Sequence, residues 1–254
     1  MENPPDENLT AYENAIHDIR GPITIIYTYA QLLEVTKRMP PKALGHVQAM
    51  KRSCFKALKI ISDVSDSSKM RDGYLLPNFT NTNIAELVRN VVESTQPFTV
   101  HKAAVLTYNT DSPEKIMATD KTLVERVLLN LLSNSVKAVD KGGLISVSLR
   151  DGGDFAEISV EDNGRGIKAE KLQRIFDRYH TSDGRKGKGI GLSIVREIVE
   201  VLGGAIEARS EEGRGTVMTV TLPVFLVENN KEKPKFSDDF YVDNMVQIEL
   251  SDEF

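Results

Sequence analysis

Four short motifs hold the side chains of this 254-residue chain that are suited to chemistry, and they follow one another in a fixed order. Residues 17–22 (HDIRGP) place a histidine directly before an aspartate. Residues 130–137 (NLLSNSVK), 162–166 (DNGRG) and 187–191 (GKGIG) combine amides, a lysine, a carboxylate and glycines. The first motif predicts a nucleophile on a helix, and the other three predict the parts of a nucleotide site.

His17 is the candidate nucleophile and Asp18 the candidate base. A carboxylate can take the proton from one ring nitrogen of an imidazole and leave the other nitrogen to attack phosphorus. Apolar residues at helical spacing place His17 near the edge of the apolar seam of a helix, where a lone histidine is usually structural. Asp18 is what favours a catalytic role. Pro22 predicts either a local bend of this helix or its end.

Asn130, Asn134 and Lys137 recur at helical spacing and share one helix face. Two amides and an ammonium on one face suit a Mg²⁺–polyphosphate, because Mg²⁺ keeps several waters and takes few protein ligands. The alternative is a solvent-exposed polar face. Asparagine is unfavourable inside helices, which argues mildly for a functional role.

Asp162 follows a predicted strand, and its carboxylate can accept a hydrogen bond from an exocyclic amine such as that of adenine. Gly164 and Gly166 allow the backbone to approach a ligand closely or to adopt a positive φ. A plain turn is the alternative interpretation of this motif.

The glycines of the last motif are Gly187, Gly189 and Gly191. They precede a predicted helix, whose first N–H groups and dipole favour phosphate oxygens. The polar, basic segment before them, residues 177–186, suits a mobile lid over a triphosphate or an ordinary loop.

Two helical runs, residues 9–38 and 40–70, are joined by a very short turn and therefore predict an antiparallel hairpin. A lone hairpin cannot cover its apolar seam, so we expect a homodimer in which two hairpins form a four-helix bundle. Farther along, helices are predicted at 83–99, 120–139 and 190–202, and strands at 104–108, 144–149, 155–160, 205–208 and 216–222. This order predicts an α+β sandwich with a mixed sheet covered by helices on one face.

Bulk composition is that of a soluble globular protein, with 40% hydrophobic and 27% charged residues. One cysteine excludes an internal disulfide, and no stretch approaches the roughly 18 apolar residues of a membrane span. The polar N-terminus lacks signal-peptide features, so we expect a cytoplasmic protein without a membrane span. The net charge of −5 offers no basic footprint for nucleic acid. Residues 224–254 alone carry eight acids and three lysines, which predicts an acidic tail.

The ordered motifs resemble those of the transmitter portion of two-component sensor histidine kinases. Residues 17–22 resemble the phosphoacceptor box, 130–137 the N box, 162–167 and 187–192 the two glycine boxes, and 175–179 the F box. The resemblance covers about residues 9–223. It implies a dimerisation and histidine-phosphotransfer hairpin at residues 1–76, a Bergerat-type (GHKL) ATP-binding domain at 77–226 and a tail at 227–254.

The resemblance also implies an activity. His17 would become phosphorylated from ATP with Asp18 as general base, and the phosphoryl group would pass to an aspartate on a response-regulator receiver domain.

Roles for the nucleotide site follow from the same match. Asn134 would hold Mg²⁺ with support from Asn130, Lys137 would meet phosphate, and Asp162 would read adenine. The second glycine box, with Leu192 at its end, would frame the lid.

Two features depart from the family pattern. Gly21 stands where relatives often carry threonine or asparagine, a residue linked to dephosphorylation of the partner, so we expect weak phosphatase activity. Only sixteen residues precede His17, too few for a sensor domain, so the signal would arrive through a separate sensory protein or the tail, or the chain is a fragment. Two alternatives remain open: a non-catalytic phosphotransfer or scaffold protein, and another type of GHKL ATPase.

Overall fold

The computed structural model describes residues 7–35, 40–71, 75–177 and 191–228. Within these ranges the side chain of His17 is outside the described set. The chain divides into two compact units between Asp72 and Gly73. In the described ranges, no helix combines the length and the apolar character that crossing a membrane would require.

The first unit is a helical hairpin formed by α1 (Glu7–Val35) and α2 (Pro41–Arg71). The two helices are antiparallel: the Lys51 ammonium lies 2.6 Å from the Glu34 carboxylate, and the rings of Tyr27 and Phe55 are 4.6 Å apart. Tyr27 and Phe55 are buried in the hairpin seam. Pro22 lies inside α1. The interpretation that the helix ends at this proline is therefore wrong.

The hairpin leaves much apolar surface uncovered. Ile19, Ile26 and Leu33 are each about half exposed, although their spacing of seven residues suggested a place in the seam. Ile26 also lines an open, mainly apolar groove of about 510 Å³ between the two helices. Ala30, which belongs to the predicted seam, is buried, and so is Tyr27, which does not, so the inward face of α1 is rotated from the predicted one.

The second unit is an α+β sandwich built on a five-stranded mixed sheet. Its strands are β2 (Val105–Thr110), β4 (Leu144–Asp151), β5 (Phe155–Asp162), β6 (Ala205–Glu211) and β7 (Gly215–Pro223), in the order β2-β4-β5-β7-β6. The β2–β4 pair is parallel and the other pairs are antiparallel. The predicted mixed sheet is confirmed, and each strand extends at most three residues beyond its predicted end.

Three long helices cover one face of this sheet: α3 (Ile84–Thr99), α4 (Lys121–Ala138) and α6 (Gly191–Val201). Alternate residues of the central strands, such as Ile158 and Val220, point toward α4 and α6, and their burial provides the main stabilising term of the unit. All three helices were predicted within two residues at each end. The structure adds a short helix, α5 (Ala169–Leu172), and a 3₁₀ turn at Val100–Lys102.

The sequence interpretation missed a small two-stranded sheet, β1 (Thr80–Asn83) paired antiparallel with β3 (Ile116–Thr119). Beyond β7 the chain returns to this sheet. The Ala118 N–H donates to the Phe225 carbonyl at 2.7 Å, and the Asn81 carboxamide bonds both the N–H and the carbonyl of Val227. The predicted acidic tail lies outside the described residues from 229 onward.

Helix α4 is fixed at both ends. The Asp120 carboxylate accepts hydrogen bonds from the Leu123 N–H at its N-terminus and from the Asn78 N–H of the preceding segment. At the other end, the Lys102 ammonium donates to the carbonyls of Val136 and Val139. The helix that carries the second motif is thereby held in one position relative to the sheet.

Candidate functional site

Asp162 is the last residue of β5, and its carboxylate is buried, with 6% of the residue exposed. One carboxylate oxygen, Oδ1, accepts a hydrogen bond from the Gly164 N–H at 2.9 Å. The other, Oδ2, accepts one from the Ser135 hydroxyl at 3.0 Å. Ser135 belongs to α4, so this carboxylate joins the second motif to the third.

Burial raises the pKa of the Asp162 carboxyl above its ordinary value, because the charged form loses its hydration. The hydrogen bonds from Gly164, from Ser135 and from the Thr216 backbone N–H act in the opposite direction, since they favour the charged form. Burial outweighs them. The carboxylate is therefore a preorganised acceptor whose charge depends on the donors around it.

The turn after Asp162 needs its glycines for packing. A Cβ on Gly164 would lie 2.6 Å from the backbone of Ala138 at the end of α4, and the neighbouring Arg165 N–H donates to the Ala138 carbonyl. Gly166 has a φ of +65°, and a Cβ there would overlap the Glu211 carbonyl. The turn is thus wedged between α4 and the β6–β7 turn. It is more constrained than the plain turn considered as the alternative.

Asn130 and Asn134 lie one helical turn apart on α4, as their spacing predicted. Asn130 is only 6% exposed, whereas Asn134 is exposed and donates from Nδ2 to Asn130 Oδ1 at 3.3 Å. The alternative of a solvent-exposed polar face is therefore wrong for Asn130. The Lys137 ammonium donates to the Ser133 hydroxyl at 3.1 Å, so it too is held along the helix.

Gly191 brings the fourth motif to the second. It is the first residue of α6, and a Cβ at this position would lie 2.8 Å from Asn130 Nδ2 and 3.0 Å from Asn130 Oδ1. The absence of a side chain lets the Asn130 carboxamide rest against the start of α6. Leu192 follows and is half-buried. Gly187 and Gly189 lie outside the described residues.

His17 and Asp18 belong to α1 and hence to the other unit. Asp18 is exposed, and the side chain of His17 lies outside the described set. The structure thus brings together Asn130, Asn134, Ser135, Asp162, Gly164 and Gly191 within one unit.

Sequence reasoning gave no role to Ser135, Ser210 or Thr216. The Ser210 hydroxyl accepts from the Ile167 N–H, donates to the Gly215 carbonyl and lies 3.0 Å from the Thr216 hydroxyl. Thr216 lies on β7 and pairs with Asp162 of the neighbouring strand β5. A usable signal existed only for Ser135, a polar residue at a helix position that otherwise belongs to the apolar face.

We predict that replacing Gly166 costs far more stability than replacing Gly153. Both glycines have positive φ, so Gly153→Ala, which meets open space, should lose about 1 kcal/mol of unfolding free energy. Gly166→Ala should lose about 3 kcal/mol or more, because the Cβ also meets the Glu211 carbonyl. Urea unfolding of the full chain measures both values, and equal losses would contradict the wedged turn.

Comparison with known proteins gives the family. Residues 119–225 match the family described as histidine kinase-, DNA gyrase B-, and HSP90-like ATPase. The adaptive-response sensory kinase SasA of Crocosphaera subtropica is 30% identical over 219 residues, which cover 82% of this chain and 57% of that protein. The sensor histidine kinase ZraS of Escherichia coli is 31% identical over 218 residues, which cover 85% and 45%. The chain spans about half the length of these curated relatives.

Solved structures agree. The catalytic domain of histidine kinase ThkA is 30% identical with a TM-score of 0.54, and the match covers 58% of this chain and 98% of that one. Full-length ShkA, solved in complex with AMPPNP, shares the fold with a TM-score of 0.70 at 24% identity, over 87% of this chain and 47% of that one. The chain therefore belongs to the sensor histidine kinase family, and its residues 119–225 form the ATPase-type domain of that family.

Proposed function

We propose that this chain binds ATP, phosphorylates its own His17 and passes the phosphoryl group to an aspartate on a response-regulator receiver domain. The observation that carries the proposal is the buried Asp162 carboxylate, held between Ser135 of α4 and the Gly164 N–H. Helix α4 also presents Asn130 and Asn134, so the helix that holds the base-reading carboxylate through Ser135 carries the polar residues proposed for the phosphate side.

Asp162 would read the adenine base. Its oxygens accept hydrogen bonds from Gly164, Ser135 and the Thr216 backbone N–H, and a carboxylate has about four lone-pair sites, so acceptor capacity remains. An exocyclic amine needs an acceptor, and a buried one gives a stronger preference than one in water because the competing solvent is excluded. ShkA, which has the same fold, was solved in complex with the ATP analogue AMPPNP.

Asn134 would hold Mg²⁺, with Asn130 supporting it and Lys137 meeting phosphate. The donor set fits such an ion: both side chains carry amide oxygens, and Asn130 is kept in place by Asn134 and by its contact with Gly191. No cluster of three or more His, Cys, Asp or Glu side chains suited to a metal occurs in the described part of the chain. A Mg²⁺ ion that is bound to polyphosphate oxygens needs few protein ligands. The bound ion would neutralise charge on the phosphoryl group that is transferred.

The glycines of the second box would frame the lid and bind phosphate through the start of α6. Gly191 leaves the first N–H groups of that helix next to the Asn130 carboxamide. Backbone donors at a helix N-terminus favour anions. Gly187, Gly189 and Leu192 would belong to the same lid-framing glycine box. Gly164 and Gly166 would shape the part of the site that binds the adenine base.

His17 would be the nucleophile and Asp18 its general base. The carboxylate would accept a proton from one ring nitrogen, so that the other attacks the terminal phosphorus of ATP while the bond to the bridging oxygen breaks and ADP leaves. The resulting phosphohistidine would serve as the donor to the receiver aspartate. The protein contributes mainly positioning and charge stabilisation to both transfers. Solved ThkA has been seen in complex with the response regulator TrrA.

The hairpin would act as a homodimer that forms a four-helix bundle. Ile19, Ile26 and Leu33 recur every seven residues on α1, are each about half exposed, and Ile26 borders the open groove between the helices. A second hairpin packed against this stripe would bury these side chains, each gaining on the order of 1 kcal/mol from removal of apolar surface. A separate sensory protein remains part of the proposal as the source of the signal.

Labelling with γ-³²P-ATP and Mg²⁺ separates the candidate activities. We expect acid-labile, base-stable label on the wild-type chain, complete loss of label in His17→Ala, and unchanged labelling in His101→Ala, since His101 belongs to no motif. The absence of label on the wild-type chain would favour a non-catalytic scaffold. ATP hydrolysis without label would favour another GHKL ATPase.

The bundle proposal predicts different effects for two adjacent leucines. Leu33→Glu should convert the dimer to monomer, whereas Leu32→Glu should not, because one residue rotates the side chain by about 100° away from the stripe of Ile19, Ile26 and Leu33. Both leucines are similarly exposed, at 45% and 57%, so solubility effects are matched. Sedimentation equilibrium measures the result, and a wild-type monomer at high concentration would refute the bundle.

Weak phosphatase activity follows from the absence of a side chain at residue 21. A Cβ on Gly21 would meet nothing within 4 Å, so Gly21→Thr can be accommodated without rearrangement. We expect Gly21→Thr to dephosphorylate the partner receiver domain faster than wild type, with Gly21→Ala as the control for helix propensity. Measured rates that are equal in all three proteins would remove the proposed role of residue 21.

A further inference from the structure

We propose that Ser135 is a positioning residue that orients the Asp162 carboxylate as a hydrogen-bond acceptor and thereby makes the site select adenine over guanine. The inference rests on the proposed role of Asp162 in reading the base. It adds a residue to which the motif gave no role.

The contact is specific and buried. Ser135 is 4% exposed and Asp162 is 6% exposed, and the hydroxyl oxygen lies 3.0 Å from Oδ2. A serine inside a helix commonly donates to the carbonyl four residues earlier in the same helix. Here the hydroxyl donates across to the end of β5 instead. Since Oδ1 is held by the Gly164 backbone, Ser135 provides the side-chain half of the clamp on the carboxylate.

The hydroxyl has a single hydrogen, and donating it to Oδ2 favours the charged carboxylate. The charged form can only accept, which matches the exocyclic amine of adenine. Guanine presents a carbonyl oxygen at the equivalent position and would require a donor. A neutral Asp162 carboxyl has an O–H to offer and would lose this discrimination. The charge state of Asp162 is therefore the chemical basis of the base preference.

Besides Ser135 and Gly164, the Thr216 backbone N–H favours the charge of Asp162, whereas the rest of its surroundings opposes it. Burial raises the pKa of the carboxyl, and Glu161 beside it on β5 raises it further. The residues paired with Asp162 across β4 and β7 are Ile145 and Thr216, which carry no charge. The charged side chain on the C-terminal half of α4 is that of Lys137, and its ammonium donates a hydrogen bond to the Ser133 hydroxyl.

The segment between β5 and α5 contributes two cations, Arg165 and Lys168, and both side chains are exposed. Exposure weakens the influence of their charges on a buried group, because water and salt screen them. Short-range donors therefore carry most of the stabilisation of the charged carboxylate, and Ser135 is the donor that a substitution can remove.

Removal of the Ser135 hydroxyl should raise the pKa of Asp162 further. A hydrogen bond donated to a charged group favours the charged form more than a neutral pair does. Below its pKa the carboxyl is protonated and cannot accept from adenine, so affinity is lost as pH falls through that pKa. In Ser135→Ala the acid limb of ATP-analogue binding should therefore move up by about one pH unit.

The test uses the full chain with Mg²⁺ and AMPPNP or GMPPNP, titrated calorimetrically from pH 4 to pH 8. Wild type, Ser135→Ala and Ser94→Ala are compared. Ser94 is a matched control because its hydroxyl donates within α3, to the Val91 carbonyl. We expect the acid limb to move up only in Ser135→Ala, and the preference for the adenine nucleotide to shrink there. A merely structural effect would lower affinity equally at every pH.

A second measurement needs no nucleotide. Carbon-detected NMR titration of the Asp162 carboxyl should show a higher midpoint in Ser135→Ala than in wild type and Ser94→Ala. An unchanged midpoint, or a raised midpoint with an unmoved acid limb of binding, overturns the role of Ser135. Failure of the wild-type chain to bind AMPPNP at any pH instead overturns the proposed function, and the inference with it.

Discussion

The hydrogen bonds between α4 and the end of β5 at Asp162 are the constraint on which the arrangement of the nucleotide unit depends. A buried carboxylate is costly unless donors surround it, and three elements supply them: Ser135 from the helix, Gly164 from the turn and the Thr216 backbone N–H from β7. Moving α4 along its axis would break this pairing. The helix is consequently fixed in register with the sheet, and its polar residues Asn130 and Asn134 are fixed with it.

Both ends of α4 support that register. The Asp120 cap also binds the Asn78 N–H, and Lys102 closes the C-terminal carbonyls. The apolar side of the helix, including Leu128 and Leu132, is buried in the core, so its rotation is set by packing. Asn130 then meets the start of α6 at Gly191. One helix therefore positions a base-reading group, an amide pair and the beginning of the glycine-framed segment.

Much of this architecture was predictable from the sequence, and the exceptions have physical reasons. Helices α4 and α6 were found because long apolar repeats and flanking glycines mark them clearly. Strands β1 and β3 were missed because each has four residues and β1 reads Thr-Asn-Thr-Asn, without apolar alternation. The inward face of α1 was rotated from the prediction because the helix is apolar on several sides, so spacing alone did not identify the side that meets α2.

The chemistry of the site divides in the same way. Asn130, Asn134 and Asp162 could be named from motifs because their residue types are unusual in their local elements. Ser135 stood out as a polar residue on the apolar face of α4, but its role could not be named, since its partner lies 27 residues away and the contact depends on how α4 packs on the sheet. The approach of Gly191 to Asn130 is likewise a tertiary contact that no local pattern encodes.

The central claim is that the buried carboxylate at the end of β5 recognises the base of ATP. A crystal structure of the full chain with Mg²⁺ and AMPPNP tests this most directly. The exocyclic amine of adenine should lie within hydrogen-bond distance of the Asp162 carboxylate, directly or through one water, with the phosphates on the side of Asn130 and Asn134. A nucleotide bound elsewhere, or with its amine turned away from Asp162, would contradict the claim.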